Sequence, residues 1–284
     1  MLLQRSYASR LYITSPLRLS NIRNYSALIG DSGREYPRGT LLRRHPQDSR
    51  FDIYKTESQG KTFIFKRVPK PVFDLSQRLA NDIPSSQCLR MHVDSNSKES
   101  ILVYDYFRDT LLSLLENDPA FPPDERAKII MRGVGEAVQE LHTNSWIHAD
   151  IKPDNILVDW TSDREGNKVV TRVALGDFDI ACKLREGEVH LTPHAIGNAM
   201  WRSPEGQTGL LTRASDIYSL GLVYIYTLGG GELLLLNDYQ SLLKAGIPPP
   251  SKKSSRNISA TSVPFPKIST SKSRMMRTGG MLYE

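Results

Sequence analysis

Cysteine is scarce in this chain: Cys88 and Cys182 are the two present, they form no Cys-x-x-Cys pair, and no secretory hydrophobic stretch accompanies them. That argues against a disulfide framework and a secreted protein, and both are expected to behave as small buried apolar residues rather than as ligands. An even spread of basic charge is also lacking. The net charge is +6, but residues 1–30 carry +4 and residues 247–284 carry +6, which leaves −4 for residues 31–246. A groove that tracks a polyphosphate backbone would place its excess on the folded part, so nucleic acid is not an expected partner. What remains is an ordinary globular composition, 39% hydrophobic and 24% charged over 284 residues, enough for one large or two small domains.

Acids are absent from residues 1–30, where Arg5, Arg10, Arg18 and Arg23 are scattered among Leu, Tyr, Ile and Ser. This is the composition of a mitochondrial presequence, and Arg23-Asn24-Tyr25-Ser26 looks like a matrix-protease cleavage pattern; a disordered basic tail is the alternative. The expected localisation is the mitochondrial matrix, or otherwise the cytoplasm. Diffuse cytosolic fluorescence from a fusion of residues 1–40 would remove the first.

From Gly39 the pattern changes to short β runs. Thr40-Leu41-Leu42, Phe51-Asp52-Ile53-Tyr54-Lys55 and a run from Lys61 to Val68 read as three strands separated by polar turns, the third bounded by Pro69 and Pro71. A helical stretch at 73–80 follows, then two further strands at 89–93 and 101–106. The second half opens at Pro122-Pro123-Asp124-Glu125, a helix start with acids in its first turn. Val134, Ala137, Val138 and Leu141 then share one face, and the helix is expected to end by Asn144. Five strands interrupted by a helix and followed by a helical half predict an α+β arrangement of two lobes.

After that helix the chain reads Ser145-Trp146-Ile147-His148-Ala149-Asp150-Ile151-Lys152-Pro153-Asp154-Asn155-Ile156-Leu157-Val158. Helix cannot continue through Lys152-Pro153, so this is a loop between a helix and a hairpin, a common place for catalytic residues. His148, Asp150, Lys152, Pro153 and Asn155 match the H-R-D-x-K-P-x-N loop of eukaryotic-type Ser/Thr protein kinases. In the same order, Gly176-Asp177-Phe178-Asp179 resembles D-F-G, Ser203-Pro204-Glu205 resembles A-P-E, and Asp216-Ile217-Tyr218-Ser219-Leu220-Gly221 resembles D-x-W-S-x-G. Upstream, Phe63-Ile64-Phe65-Lys66 looks like V-A-I-K on the third strand. The resemblance covers about residues 39–245.

The resemblance implies a two-lobed protein-kinase-like fold with a five-stranded antiparallel first lobe and a mainly helical second lobe. It implies ATP and Mg²⁺ as cofactors and a protein as substrate. Phosphoryl transfer asks little covalent work of the protein, which must place the reactants and neutralise phosphate charge. By the resemblance Asp150 is catalytic and orients or accepts the proton of the attacking hydroxyl, and Lys152 meets the transferring phosphate. Asn155 and Asp177 bind the cofactor and offer hard oxygen ligands to Mg²⁺. Lys66 holds the α and β phosphates, and Asp105 and Phe107 complete the cofactor-binding set. Taken singly, Asp150 and Asp177 would be loop carboxylates and Lys66 a solvated strand residue. His190 and His194 stand at i, i+4, but Pro193 lies between them and no third ligand is evident, so they read as loop residues.

Glycine is missing where the family needs it. Its phosphate-covering loop reads G-x-G-x-x-G, because glycine lets backbone approach phosphate. Here the loop is Arg44-His45-Pro46-Gln47-Asp48-Ser49-Arg50, in which Arg44 or His45 is the conceivable source of positive charge. The helix glutamate that partners the strand-three lysine has no clear equivalent; Gln77 and Asp82 are the nearest polar candidates. Ala149 replaces the arginine that clamps a phosphorylated activation segment, so activation through a site such as Thr192 is not expected. Asp179 replaces the D-F-G glycine, where it could crowd the metal site. Asn198 stands where Ser/Thr kinases carry Thr, and is expected to hydrogen-bond towards Asp150.

Residues 217–236 form an apolar run about as long as a membrane span. The run contains Gly229-Gly230-Gly231 and Glu232, and a helix apolar all round is also what the centre of a large domain requires. The family's central helix falls here, so no membrane span is expected. After Gly246 the chain becomes Pro-rich and then Ser/Thr/Lys-rich with little apolar periodicity, a composition of disorder. The expected division is a basic segment at 1–30, a first lobe at 31–107, a second lobe at 108–246 that is truncated, and a disordered tail at 247–284. A truncated or frame-shifted product, or a partner that completes the second lobe, would account for it. Three functions follow: a Ser/Thr protein kinase; a pseudokinase or scaffold that keeps the fold for protein binding; and a small-molecule phosphotransferase, against which Glu205 counts.

Overall fold

The computed structural model describes residues 27–37, 39–118 and 121–230. The expectations for the basic segment, apart from residues 27–30, and those for the tail and residues 231–246 concern residues outside the described ones.

The chain first forms a hairpin of β1 (Ala27–Ile29) and β2 (Glu35–Pro37), which the sequence patterns did not reveal. A five-stranded antiparallel sheet follows, built from β3 (Thr40–Arg43), β4 (Ile53–Ser58) and β5 (Lys61–Arg67), then β6 (Asp94–Asn96) and β7 (Ile101–Asp105), in the order β3-β4-β5-β7-β6. Helix α1 (Lys70–Asp82) lies between β5 and β6, with Pro71 in its first turn and Pro84 just past its end.

Alternation along the strands sends neighbouring residues to opposite faces. Ile64 and Leu102 pack with Phe73 of α1, whereas Phe63 and Val103 pack with Tyr36 of β2. Both faces are apolar, so each needs a cover, and this explains the unforeseen hairpin. Tyr36 meets Phe63 edge-on, with ring centroids 5.4 Å apart, and donates its hydroxyl to Asp94 at 3.0 Å. Gly30 belongs to the same contact: a Cβ there would fall 2.0 Å from an Asp94 carboxylate oxygen.

The fourth strand is not where its hydrophobic run suggested. The start of that run leaves the sheet to meet the second lobe: Leu89 bridges Leu175, and the Arg90 N–H donates to the Leu175 carbonyl at 2.8 Å, while the Val93 N–H at its end returns to Val103 of β7. The sheet's edge is β6 instead, a polar strand stabilised by Asp94.

In the second lobe come β8 (Asp109–Thr110), α2 (Leu111–Asn117) and α3 (Pro123–Lys128), a wider helical turn at Ile129–Val134, α4 (Gly135–Thr143) and β9 (Trp146–Ile147). The single helix expected from Pro122 to Asn144 is therefore divided. The wide turn contains Gly133, where a Cβ would come 2.4 Å from the Val173 side chain, so the division brings the chain close against the following hairpin. Val134, Ala137, Val138 and Leu141 are buried as their spacing predicts. The hairpin is β10 (Ile156–Ser162) with β11 (Lys168–Leu175), joined by β8 in a three-stranded sheet. The short strands β12 (Cys182–Lys183), β13 (His190–Leu191) and β14 (Leu210–Leu211), helix α5 (Arg213–Ile225) and a wider turn at Tyr226–Gly230 complete the described part. The core runs through Leu111, Phe121, Ile129, Leu141, Ile156 and Leu175. Among the described residues no helix is long and apolar enough to cross a membrane.

Candidate active site

The loop at residues 148–155 is suspended between β9 and β10 and braced from beneath by α5. Asp216, buried in the first turns of α5, accepts the His148 N–H at 2.8 Å and the Ala149 N–H at 2.9 Å. His142 of α4 meets the same carboxylate at 3.0 Å. These bonds hold Ala149 at φ 65°, a left-handed conformation that an L-residue with a Cβ adopts at a cost of about 1 kcal/mol or more. His148 is fully buried, and its two ring nitrogens have separate tasks. Nδ1 accepts the Asp150 N–H at 3.2 Å, so the proton sits on Nε2, which donates to the Gly176 carbonyl at 3.0 Å. Its ring also packs against Phe178, with centroids 5.0 Å apart. One imidazole thus ties the 148–155 loop to the Asp177 segment.

Asp150 points into a set of donors that fixes both of its oxygens. Oδ2 accepts from Lys152 Nζ at 2.6 Å and Asn155 Nδ2 at 3.2 Å, and Oδ1 accepts the Asn198 N–H at 2.7 Å. The Asn198 bond was anticipated, but it comes from the main chain, because the side-chain oxygen accepts the Met200 N–H instead. Gly197 makes that approach possible: it sits at φ 80°, and a Cβ would lie 2.4 Å from the Ala149 carbonyl. Asn155, itself buried, spends both amide hydrogens on Asp150, at the side chain and at the main-chain carbonyl 2.8 Å away.

Lys66 reaches across from β5. Its Nζ donates to Asp177 Oδ1 at 2.8 Å and to both oxygens of Asp179 at 3.0 and 3.2 Å. Burial alone would favour a neutral amine, but Asp177, Tyr104 and Asp179 hold the ammonium above its ordinary range. The two carboxylates diverge. Burial pushes Asp177 up, yet Lys66, with help from Lys152, brings it down to about 2. Asp179 is raised, by burial and by the charge of Asp177, in spite of Lys66. One carboxylate is firmly anionic and faces outward, and the second shares its cation.

Neither expected substitute for the helix glutamate partners Lys66. Asp82 is engaged elsewhere, accepting from Trp146 Nε1 at 2.9 Å and Lys183 Nζ at 2.7 Å, and no described bond joins Gln77 to the lysine. The residue that sequence reasoning missed is Asp179. Its departure from glycine was noticed; its role as a second counter-ion required the fold. A cavity of about 500 Å³ lined by Leu75, Arg78, Asp82, Trp146, Cys182 and Lys183 lies apart from this cluster, between α1 and β12.

The phosphate-covering loop turns its amides inward. The His45 N–H donates to Asp52 at 2.8 Å; those of Gln47 and Asp48 donate to His45 Nδ1 at 3.3 and 3.1 Å; and that of Arg50 donates to Asp48 at 2.9 Å. Arg50 then closes on Asp48 as an exposed ion pair. His45 thus gathers two of the loop's amides on its Nδ1.

Asp105 and Phe107 lie where β7 passes into the second lobe. The Asp105 carboxylate pairs with Arg172 of β11 at 3.1 Å, and the Arg172 guanidinium sits 3.9 Å above the Phe107 ring. His190 lies in β13, paired with β14, and no group of three His, Cys, Asp or Glu among the described residues has the arrangement of a metal site. Both cysteines are free and half-buried, less enclosed than expected, with Cys182 pushed up to about 11 by burial. Glu205 accepts from Ser215 Oγ at 2.9 Å at the start of α5, while Thr192 Oγ1 is held by the carbonyls of His194 and Gly209.

Two lobes, a lysine from one gripping an aspartate of the other, and a fixed Asp-Lys-Asn loop make up a kinase-like fold. The description protein kinase domain matches residues 85–273 of this chain, which belongs to the protein kinase family. It is similar to a probable receptor-like protein kinase of Arabidopsis thaliana, 31% identical over 219 residues, covering 68% of this chain and 32% of that protein. It is similar as well to the serine/threonine-protein kinase PrkC of Bacillus subtilis, 38% identical over 115 residues (40% of this chain, 16% of PrkC). PknB of Mycobacterium leprae, another serine/threonine-protein kinase, is 32% identical over 148 residues (49% and 22%). The matched part spans about a third or less of these relatives.

Proposed function

We propose that this chain transfers the γ-phosphate of Mg-ATP to Ser or Thr hydroxyls of a protein substrate. The observation that carries the reading is the Asp150 carboxylate, fixed by Lys152, Asn155 and the Asn198 amide beside an anionic Asp177. A general base needs a carboxylate placed before substrate arrives, and three donors hold this one. Lys152, paired to it, stands ready to neutralise charge on a transferring phosphoryl group. Asp177 and the Oδ1 of Asn155 are the oxygens that would hold a hard divalent cation, which when bound would offset phosphate charge. Lys66 is the cation for the remaining phosphates once its hold on Asp179 loosens. The Ser/Thr direction rests on Lys152-Pro153 and on the serine/threonine kinases among its relatives.

A scaffold that retains the fold for protein binding is the second reading. The inward-turned amides of residues 45–50 favour it, because they offer phosphate little of the usual backbone cradle. One experiment separates the two: Mg-ATP binding and phosphate transfer to a generic protein, with Asp150→Asn and Asp177→Asn as controls. Turnover lost in both variants supports the kinase. Stabilisation by Mg-ATP without turnover supports the scaffold, and turnover indifferent to Asp150→Asn removes Asp150 from its role.

A further inference from the structure

Arg90 has no counterpart in the chemistry described so far, yet it is placed where the two lobes meet. Its main chain is anchored to β11, donating to the Leu175 carbonyl at 2.8 Å, and its side chain runs over Gly176, the residue before Asp177. A Cβ added to Gly176 would stand 3.3 and 3.4 Å from Arg90 Cβ and Cδ. From there the side chain extends to the junction of the lobes. Nη2 and Nε both donate to the main-chain carbonyl of Asp105, at 2.6 and 3.2 Å. The guanidinium faces the rings of Tyr104 and Phe107, 5.0 and 5.7 Å from their centroids.

This is an unusual home for an arginine. Guanidinium groups taken from water normally find a carboxylate. The adjacent Asp105 carboxylate is already paired with Arg172, and Arg90 forms no ion pair among the described residues. Burial accordingly draws it down to about 10. A planar, donor-rich group lies beside two aromatic rings and fills the acceptor of Asp105, one of the residues that the family resemblance assigns to the nucleotide. An adenine base is also planar and donates through its amino group. The two require the same acceptor in the same place.

We propose that Arg90 is an internal occupant of the base end of the nucleotide site, and that a purine nucleoside or nucleotide binds by displacing its guanidinium from the Asp105 carbonyl. The inference rests on reading this region as a nucleotide site. Arg90 thereby sets affinity: binding carries the cost of breaking a charge-assisted hydrogen bond before the base forms its own. Once displaced, the guanidinium has Asp177 within electrostatic reach as an alternative partner, since that carboxylate already acts on it.

The test is calorimetric titration of the full chain with adenosine, and with ATP without metal, comparing the parent with Arg90→Val. The variant is expected to bind both ligands about tenfold tighter or more, with similar gains, because the change lies at the base end. A variant that unfolds cooperatively and binds no tighter than the parent overturns the proposal. If the valine variant does not fold, Arg90→Met, which keeps an unbranched stem but no donor, takes its place with the same criterion. In the parent, the Nε–H nuclear magnetic resonance of Arg90 must shift when adenosine saturates the site; a bound nucleoside that leaves it unmoved overturns the proposal equally. Adenosine carries no phosphate, so failure of phosphate transfer in every form would count against the kinase reading alone. Transfer by the parent, with unchanged adenosine affinity in the variant, would defeat this inference and leave the kinase reading intact.

Discussion

The site has two ends, and they are built differently. At the transfer end, Asp150, Lys152 and Asn155 are held by one another, by the Asn198 amide and, through His148 and Ala149, by Asp216 beneath them. At the nucleotide end, hydrogen-bonding groups that could meet a ligand are engaged within the protein: loop amides by His45 and Asp48, the Asp105 carbonyl by Arg90, and Lys66 by two aspartates. Under the proposed function, the first end is preorganised for phosphate transfer. The second is satisfied in itself. An active site can be complete in its reacting groups and still have its affinity set by internal competitors, because a filled acceptor must be vacated before a ligand can use it.

Four experiments would break or sharpen this contrast. The largest effect is expected from Asp216→Ala, which leaves two buried amides unsatisfied beneath the transfer end. The cost should be about 3 kcal/mol or more in unfolding free energy, measured by denaturant titration. A loss below about 1 kcal/mol would mean that the loop supports itself. Asp150→Asn should leave stability nearly unchanged and lower phosphate transfer by about 10²-fold or more. At the nucleotide end, Asp179→Gly removes a competitor for Lys66 and a negative charge beside the phosphates. ATP affinity should rise several-fold while adenosine affinity stays level, and a fall in ATP affinity would instead identify Asp179 as a needed support for Lys66.

The fourth experiment uses pH. The Asp177 carboxyl is lowered from 3.8 to about 2, so its contribution to stability is complete above pH 3.8 and is lost as pH falls through about 2. Asp179 is raised, so its charge opposes folding at neutral pH and protonation relieves that opposition early in acidification. Asp177→Asn should therefore cost stability at pH 6 and much less at pH 2. Asp179→Asn should stabilise at pH 6, with the gain fading in acid. Thermal unfolding of both variants across this range checks the two signs.

The sequence carried the transfer end almost completely. His148, Asp150, Lys152 and Asn155 lie within eight residues, so local chain geometry delivers them to one place. Asp177 and Asp216 came with recognisable neighbours, and the lobes, α1 and the buried face of α4 followed from periodicity. The nucleotide end was legible mainly as absence. The missing glycines at 44–50 showed that something differed, but not that His45 would gather the loop's amides. The β1–β2 hairpin went unseen because its strands are three residues each and its reason is the second apolar face of a sheet formed later in the chain.

What the linear order determined by itself, then, is the family, the division into a strand-rich and a helical lobe, and the identity of the groups gathered around Asp150. These depend on local spacing and on short motifs. Tertiary structure alone decided the partners: Asp179 rather than a helix glutamate for Lys66, 113 residues away, and Arg90 for the Asp105 carbonyl. Hydrogen bonds and ion pairs between distant residues depend on where packing brings two chain segments. A carbonyl leaves no mark in the sequence to show which side chain will fill it.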